Sequence, residues 1–169
     1  MKYTSQEFAN AYDEFADAIF RHCYFRVFNR DKAKDLMQET FVKVWRYVAM
    51  GNDIDNLRAF LYKTATNLII DDSRKKREAS LDQLQEEGLE PQFDHQTRIE
   101  NKIEVERLLK ILNQVDEKYR EVITMRYVDD LKPEEIAKII GETANNVSVR
   151  LNRGIQKVRE ILEQNGEII

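Results

Sequence analysis

Between residues 143 and 157 the chain sets amides, hydroxyls and cations at spacings that suit recognition rather than bond making. Asn145, Asn146 and Asn152 each carry a donor and an acceptor on one planar group, the pair needed to meet an adenine edge. Arg150, Arg153 and Lys157 supply positive charge for guanine or for phosphate. If Val147 points inward on a helix turning about 100° per residue, then Asn145, Ser148, Val149, Asn152 and Arg153 fall on the outer half. Asn146 and Arg150 flank that face, and Lys157 lies near the backbone-contacting side. A solvated polar face is the plainer alternative. Against it, residues 144–159 contain four Arg or Lys and no Asp or Glu, and an ordinary exposed helix of that length usually includes some Glu.

A second polar stripe runs through Lys63, Asn67, Asp71, Arg74 and Lys75, at steps of three or four residues, and ends in Lys76 and Arg77. An amide among cations can read exposed base edges or hold a phosphate backbone. The same stripe is also what a plain exposed face looks like, with Asp71 paired to Lys75 one turn away. The residues alone leave these two readings open. No Ser/His/Asp set, phosphate-cradling glycine loop or metal-binding cluster is visible, so no catalytic residue, cofactor or metal is expected. His22 and His95 are far apart. Cys23 is the single cysteine, which excludes an intrachain disulfide and suits a reducing, cytoplasmic setting. It lies on an apolar stripe and reads as a small buried residue rather than a redox switch.

The elements that must position these residues are helices. The chain has 169 residues with only 5 Gly and 2 Pro. Ser5 is placed to cap a first helix reaching Phe28, with Phe8, Tyr12, Phe15, Ile19 and Cys23 as its apolar stripe. Asp31 is placed to cap a second, carrying Ala33, Leu36, Met37, Thr40, Phe41, Val44, Trp45 and Val48 inward. A loop over 50–56 precedes a third helix with Leu57, Phe60, Leu61, Thr64, Ala65 and Leu68 inside. From near Arg98, Ile103, Glu106, Leu109 and residues 112–115 form a helix against a second core, and Asp116 is placed to cap the next, with Tyr119, Val122, Ile123, Arg126 and Tyr127 along it. Pro133 with Glu134 and Glu135 behind it opens a short helix that Gly141 ends. Thr143 then caps a helix burying Val147, Leu151, either Gly154 or Ile155, Val158 and Leu162. Two helices joined by a glycine turn make a helix-turn-helix. The expected fold is all-α: two small helical domains, 1–77 and 100–169, joined by a flexible acidic linker over 78–99.

The net charge of −4 argues against nucleic acid only if charge is spread evenly. It is not. Residues 58–77 hold six basic and two acidic residues, whereas 78–100 hold seven acids and one Arg. A phosphate feels the nearest face, because screening cuts in at about 10 Å in 0.1 M salt. Residues 2–17 carry several charges, so they do not form a signal peptide, and no run of apolar residues is long enough to insert in a membrane.

Three stretches, in one order and register, resemble the extracytoplasmic-function sigma factors of bacteria. The run from Asp31 through Asp35, Gln38, Glu39, Thr40 and Phe41 to Trp45 resembles their polymerase-binding helix. The run from Phe60 through Asn67, Asp71 and Arg74 resembles their promoter -10 segment, and that from Tyr119 through Arg126 and Leu131 to Gly141 resembles the lead-in to their -35 reader. The resemblance implies that Asp35, Gln38 and Glu39 dock on the beta-prime clamp helices of core RNA polymerase, while the beta flap holds the C-terminal domain. It implies that Asn56, Lys63, Asn67, Asp71, Arg74, Lys75, Lys76 and Arg77 meet the melted -10 strand. Thr143, Asn145, Asn146, Ser148, Val149, Arg150, Asn152, Arg153 and Lys157 then meet duplex -35 DNA. It also implies an anti-sigma factor. Phe41 and Trp45 are assigned to core packing. The chain departs from a common pattern at Asn145, Asn146, Ser148 and Asn152, which implies an unusual -35 sequence. The alternatives are a polymerase-independent helix-turn-helix regulator and a sigma-like module that sequesters a partner protein.

Overall fold

The computed structural model describes residues 3–82 and 99–167. Every regular element among them is helical, and the chain divides by contact into two compact units. The first is built on α1 (Ser5–Val27), α2 (Arg30–Ala49) and α3 (Leu57–Asp82). The second is built on α4 (Ile99–Asn113), α5 (Glu117–Ile123), α6 (Pro133–Ile140) and α7 (Ala144–Gln164). None of these helices is long and apolar enough to cross a membrane.

α1 opens on a reciprocal cap. The Glu7 carboxylate accepts from the Thr4 N–H at 2.7 Å, and the Thr4 hydroxyl accepts from the Glu7 N–H at 3.2 Å. The cap is therefore Thr4 and not Ser5, because only Thr4 has a Glu three residues on. The Thr4 N–H, and after it the Thr4 hydroxyl, hold the Glu7 carboxyl below its usual range. A lowered native pKa means that this lock is complete above the ordinary carboxylate range and is lost as pH falls through the lowered value. α1 stops at Val27 because Phe28 turns into the left-handed region, at φ 57°. α2 starts at Arg30, so Asp31 sits inside its first turn, favoured by the helix dipole, rather than capping it.

Ile19 and Cys23 of α1, Ala33, Leu36, Phe41 and Val44 of α2, and Leu61 and Ala65 of α3 are buried together in this unit. Each fully buried Leu or Ile contributes roughly 1.5–3 kcal/mol. His22 is also fully buried; its Nε2 lies 3.2 Å from the Thr66 hydroxyl and its ring meets Tyr62 edge-on. The α1 stripe is apolar throughout, but its N-terminal half is less covered: Tyr12 is exposed and Phe8 only half-buried. α3 passes the expected boundary at 77 and runs to Asp82, since no Gly or Pro interrupts it there. The remainder of the acidic linker lies outside the described residues.

In the second unit Arg120 locks the end of α4. Its guanidinium donates to the carbonyls of Leu112 and Val115, both at 2.9 Å, and of Asn113 at 3.2 Å. They lie in and just beyond the last turn of α4, where the Leu112 carbonyl also accepts from the Val115 N–H. Asp116 stands at the start of α5 as expected, but its side chain makes no capping bond. Ile103 is exposed rather than packed, and Ile111 takes a buried place on α4 instead. α5 does not continue as one α-helix through Tyr127. It widens into a π-helical turn over Thr124–Val128, closed by the Asp129 N–H on the Thr124 carbonyl. Within that turn the buried Thr124 hydroxyl has no hydrogen-bond partner.

α6 starts with Pro133, and the Glu135 carboxylate accepts from the Lys132 N–H at 2.8 Å. It ends at Gly141, whose φ of 72° suits glycine. The Thr143 hydroxyl then accepts from the Asn146 N–H at 3.1 Å and caps α7. α7 turns Val147, Leu151 and Gly154 into the core, so Gly154 takes the place that the sequence leaves between it and Ile155. A Cβ on Gly154 would stand 2.8 Å from Ile123 Cδ1 and 3.2 Å from Tyr119 Cβ.

Two outcomes follow from this packing. Gly154→Val should destabilise the second unit by about 1–3 kcal/mol, read as a lower midpoint in urea. Thr124→Val keeps the shape and removes the unpartnered hydroxyl, so it should raise thermal stability by about 1 kcal/mol; a loss instead would contradict the orphaned hydroxyl.

Candidate nucleic-acid interface

The outer face of α7 separates the sequence candidates into two kinds. Asn145, Asn152 and Arg153 stand exposed, with Val149 between them at 41% exposure. Ser148 is half-buried. The others are already engaged within the chain. The Thr143 hydroxyl is spent on the cap. Asn146 Nδ2 donates to Glu142 Oε2 at 3.2 Å. Arg150 bridges Glu142, at 3.4 Å, and Glu121, at 3.6 Å. Lys157 pairs with Glu160 at 3.5 Å across exposed surface, which costs it little freedom. Arg150, with its side chain one-quarter exposed, is thus not the free cation that its position suggested.

Beside this face lies a shallow cleft of about 360 Å³, with Lys118 and Tyr119 of α5 on one side and Asn146, Val149, Arg150 and Arg153 on the other. Lys118 was not among the residues singled out from the sequence. It is 35 positions before Arg153, and only the packing of α5 on α7 brings the two to one cleft.

In the first unit, Lys63, Asn67, Lys75 and Arg77 are exposed along α3. Asp71 pairs with Arg74, at 3.4 Å, rather than with Lys75. Asp72 lies 2.5 Å from Lys32 of α2 and 3.8 Å from Lys76, tying the basic end of α3 to the start of α2. Asn56 precedes α3, and its Oδ1 accepts from the Ala59 N–H at 3.0 Å. That commits the amide oxygen to the helix start and leaves the NH₂ end as the part able to meet a base. The loop over 50–56 is anchored by buried Ile54 and by Asn52 Nδ2 on the Tyr47 carbonyl. It has little aromatic content of its own, but Tyr47 and Phe60, on the helices flanking it, meet with ring centres 4.9 Å apart and planes tilted by 33°. Each looked like an ordinary helix residue in the sequence, and the pair exists only because α2 and α3 bring them together.

Asp35, Gln38 and Glu39 are all exposed on α2. Next to them is an apolar groove of about 660 Å³ walled by Phe8 and Tyr12 of α1 and by Gln38, Val42 and Trp45 of α2. Phe41 is buried as expected, whereas Trp45 is only half-buried and lines the groove, where its ring leans on Phe8. The departure has a simple cause. α2 has an apolar stripe wider than the core beneath it, so its margin stays open.

Two helical units, the second a helix-turn-helix with an acid-free outer helix face, are the layout of a sigma-70-type transcription protein. Residues 11–79 match the family model of sigma-70 region 2, and residues 105–158 that of sigma-70 region 4. The chain is 31% identical to the ECF RNA polymerase sigma factor SigW of Bacillus subtilis, over 92% of its own length and 88% of that protein's. It is 29% identical to the RNA polymerase sigma factor SigV of the same bacterium, over 83% and 82%. The fold is similar to that of a sigma factor RpoE from Bartonella quintana, solved with the anti-sigma factor NepR. That likeness has a TM-score of 0.80 at 21% identity and spans 94% of this chain and 98% of that one. CnrH, solved with the cytosolic domain of CnrY, has a TM-score of 0.72 at 20% identity over 95% and 90%. The chain belongs to the extracytoplasmic-function family of RNA polymerase sigma factors. It directs transcription initiation together with RNA polymerase at promoter DNA, and is not itself a catalyst.

Proposed function

We propose that the two units divide the promoter between them, with α7 reading duplex -35 DNA and α3 holding the melted -10 strand. The observation that carries this is the outer face of α7, where Asn145, Asn152 and Arg153 stand exposed along a stretch without a single acid. A helix of this kind fits the major groove, where an amide can pair with adenine and a guanidinium with guanine. Ser148 and Val149 supply a hydroxyl and a methyl surface to the same groove. Thr143 and Asn146, at the helix start, and Lys157, further along, border it. Lys118 joins Arg153 in the cleft beside α7 and is suited to a phosphate.

On α3 the exposed Lys63, Asn67, Lys75 and Arg77, with Asp71, Arg74 and Lys76 among them, form a cationic path for a single strand. Asn56 and the Tyr47–Phe60 ring pair border the loop where an unstacked base would lodge. Asp35, Gln38 and Glu39 face the clamp helices of the polymerase beta-prime subunit. The groove beside them provides the apolar anchor that charge alone lacks, since interface energy concentrates in aromatic and apolar pockets. The second unit sits at the beta flap, and the protein acts in the cytoplasm with polymerase. An anti-sigma factor holds it inactive until a signal releases it; one protein of similar fold was solved with an anti-sigma factor, and another with the cytosolic domain of CnrY.

Run-off transcription with the purified chain, core polymerase and a genomic promoter pool tests the reading. Transcripts sharing a -35 and a -10 sequence are the expected result, and tight binding to one duplex without polymerase and without transcripts would overturn it. Asn152→Ala and Arg153→Ala should each lower transcription from those promoters about tenfold, because a good base contact discriminates by roughly 1–3 kcal/mol. Val42 is 47% exposed, so Val42→Glu should leave the helix content unchanged while weakening holoenzyme assembly about tenfold or more. Unaltered assembly would remove the groove from the polymerase contact.

A further inference from the structure

We infer that Glu142, in the turn of the helix-turn-helix, is a specificity-determining residue that keeps Arg150 from binding DNA indiscriminately. The inference rests on the assignment of α7 to the -35 element. Glu142 follows Gly141 and precedes the cap of α7, and its side chain is 36% exposed. Its two oxygens do separate work. Oε2 accepts from Asn146 Nδ2 at 3.2 Å, and Oε1 accepts from Arg150 NH2 at 3.4 Å. Glu142 lies just before the helix, so its one carboxylate reaches Asn146 in the first turn of α7 and Arg150 one turn further on. The other guanidinium nitrogen of Arg150 faces Glu121 of α5 at 3.6 Å, where that acid is 13% exposed.

Three consequences follow from the charges. Arg150 lies between two carboxylates, so its positive charge is neutralised locally and offers little to a phosphate. Asn146 has one of its donors fixed, which sets the plane of its amide before any base arrives. Glu142 itself, at the rim of the reading face, repels the backbone of every duplex alike. Phosphate contacts carry affinity without sequence information, whereas fixed side chains at base edges carry discrimination. A carboxylate that suppresses the first and orders the second lowers the affinity for all DNA and raises the selectivity, which is rejection built in by a repulsive element. The acid is stable in this place because the N-terminal turn of α7 favours negative charge.

The test uses holoenzyme assembled from the full chain and core polymerase, on run-off templates randomised across the -35 element. Glu142→Gln removes the negative charge that holds Arg150 and the repulsion, and leaves one amide oxygen to accept from either Arg150 or Asn146. It should flatten base selection about fivefold, and it should steepen the fall of binding with salt by about one in log-log slope, as one freed phosphate contact requires. Both effects should shrink in an Arg150→Ala background, where only the repulsion by Glu142 and its hold on Asn146 are left to lose, and the cycle isolates the part that belongs to the pair. Glu142→Asp keeps the charge and should select as the unaltered protein does. The inference is overturned if Glu142→Gln selects as sharply as the unaltered protein, if it weakens all templates equally, or if its effect persists undiminished without Arg150. If the unaltered protein shows no selection across the -35 element, the assignment of α7 has failed instead, and the two failures are told apart on the same templates.

Discussion

The reading face depends on how closely α7 can approach α5. At Gly154 the missing side chain lets the helices come within contact of Ile123 and Tyr119, where any larger residue would stand them apart. That approach seats Val147 and Leu151 in the core and turns the opposite side of α7 outward. It also sets Lys118 beside Arg153, and Glu121 beside Arg150. The π-helical turn at Thr124–Val128 follows directly on that segment of α5. The backbone there gives up regular α-helical bonding, with the Asp129 N–H on the Thr124 carbonyl.

The two units solve one problem in different ways. Both must leave a polar or cationic helix side uncovered while burying the other. In the second unit the helix is pinned by caps at its start, by the left-handed glycine before it and by the glycine contact behind it. In the first, the long α3 is tied to both ends of α2, through Asp72 to Lys32 at one and Phe60 to Tyr47 at the other. The acids that make the whole chain negative do local work in this arrangement. Asp72 and Glu121 are mostly covered and hold cations in place, whereas Asp35 and Glu39 stand free on α2.

Much of this was legible in order of residues. Apolar spacing located all but the details of the helices, and the loop at 50–56 fell where it was expected. Pro133, Gly141 and Thr143 marked the ends of α6 and the start of α7 because their roles are set by backbone chemistry within a few residues. Errors came where a competing local bond won. Thr4 displaced Ser5 as the cap because of Glu7, and Asp71 met Arg74 rather than Lys75. Trp45 shared the apolar period of Phe41 yet lies half open, because periodicity gives a direction and not the extent of what covers it.

The sequence by itself determined the helices, the helix-turn-helix and which residues face outward, since these follow from turns of three to four residues and from caps. Only the tertiary structure decided which outward residues are available. Arg150, flanking the outer face, and Asn152, on it, are both candidates in sequence reasoning, but Arg150 is bound by Glu121 and Glu142 while Asn152 stands exposed. The distinction depends on where α5 lies against α7. A pairing between side chains 29 positions apart is set by the packing of two helices, and no local period encodes it.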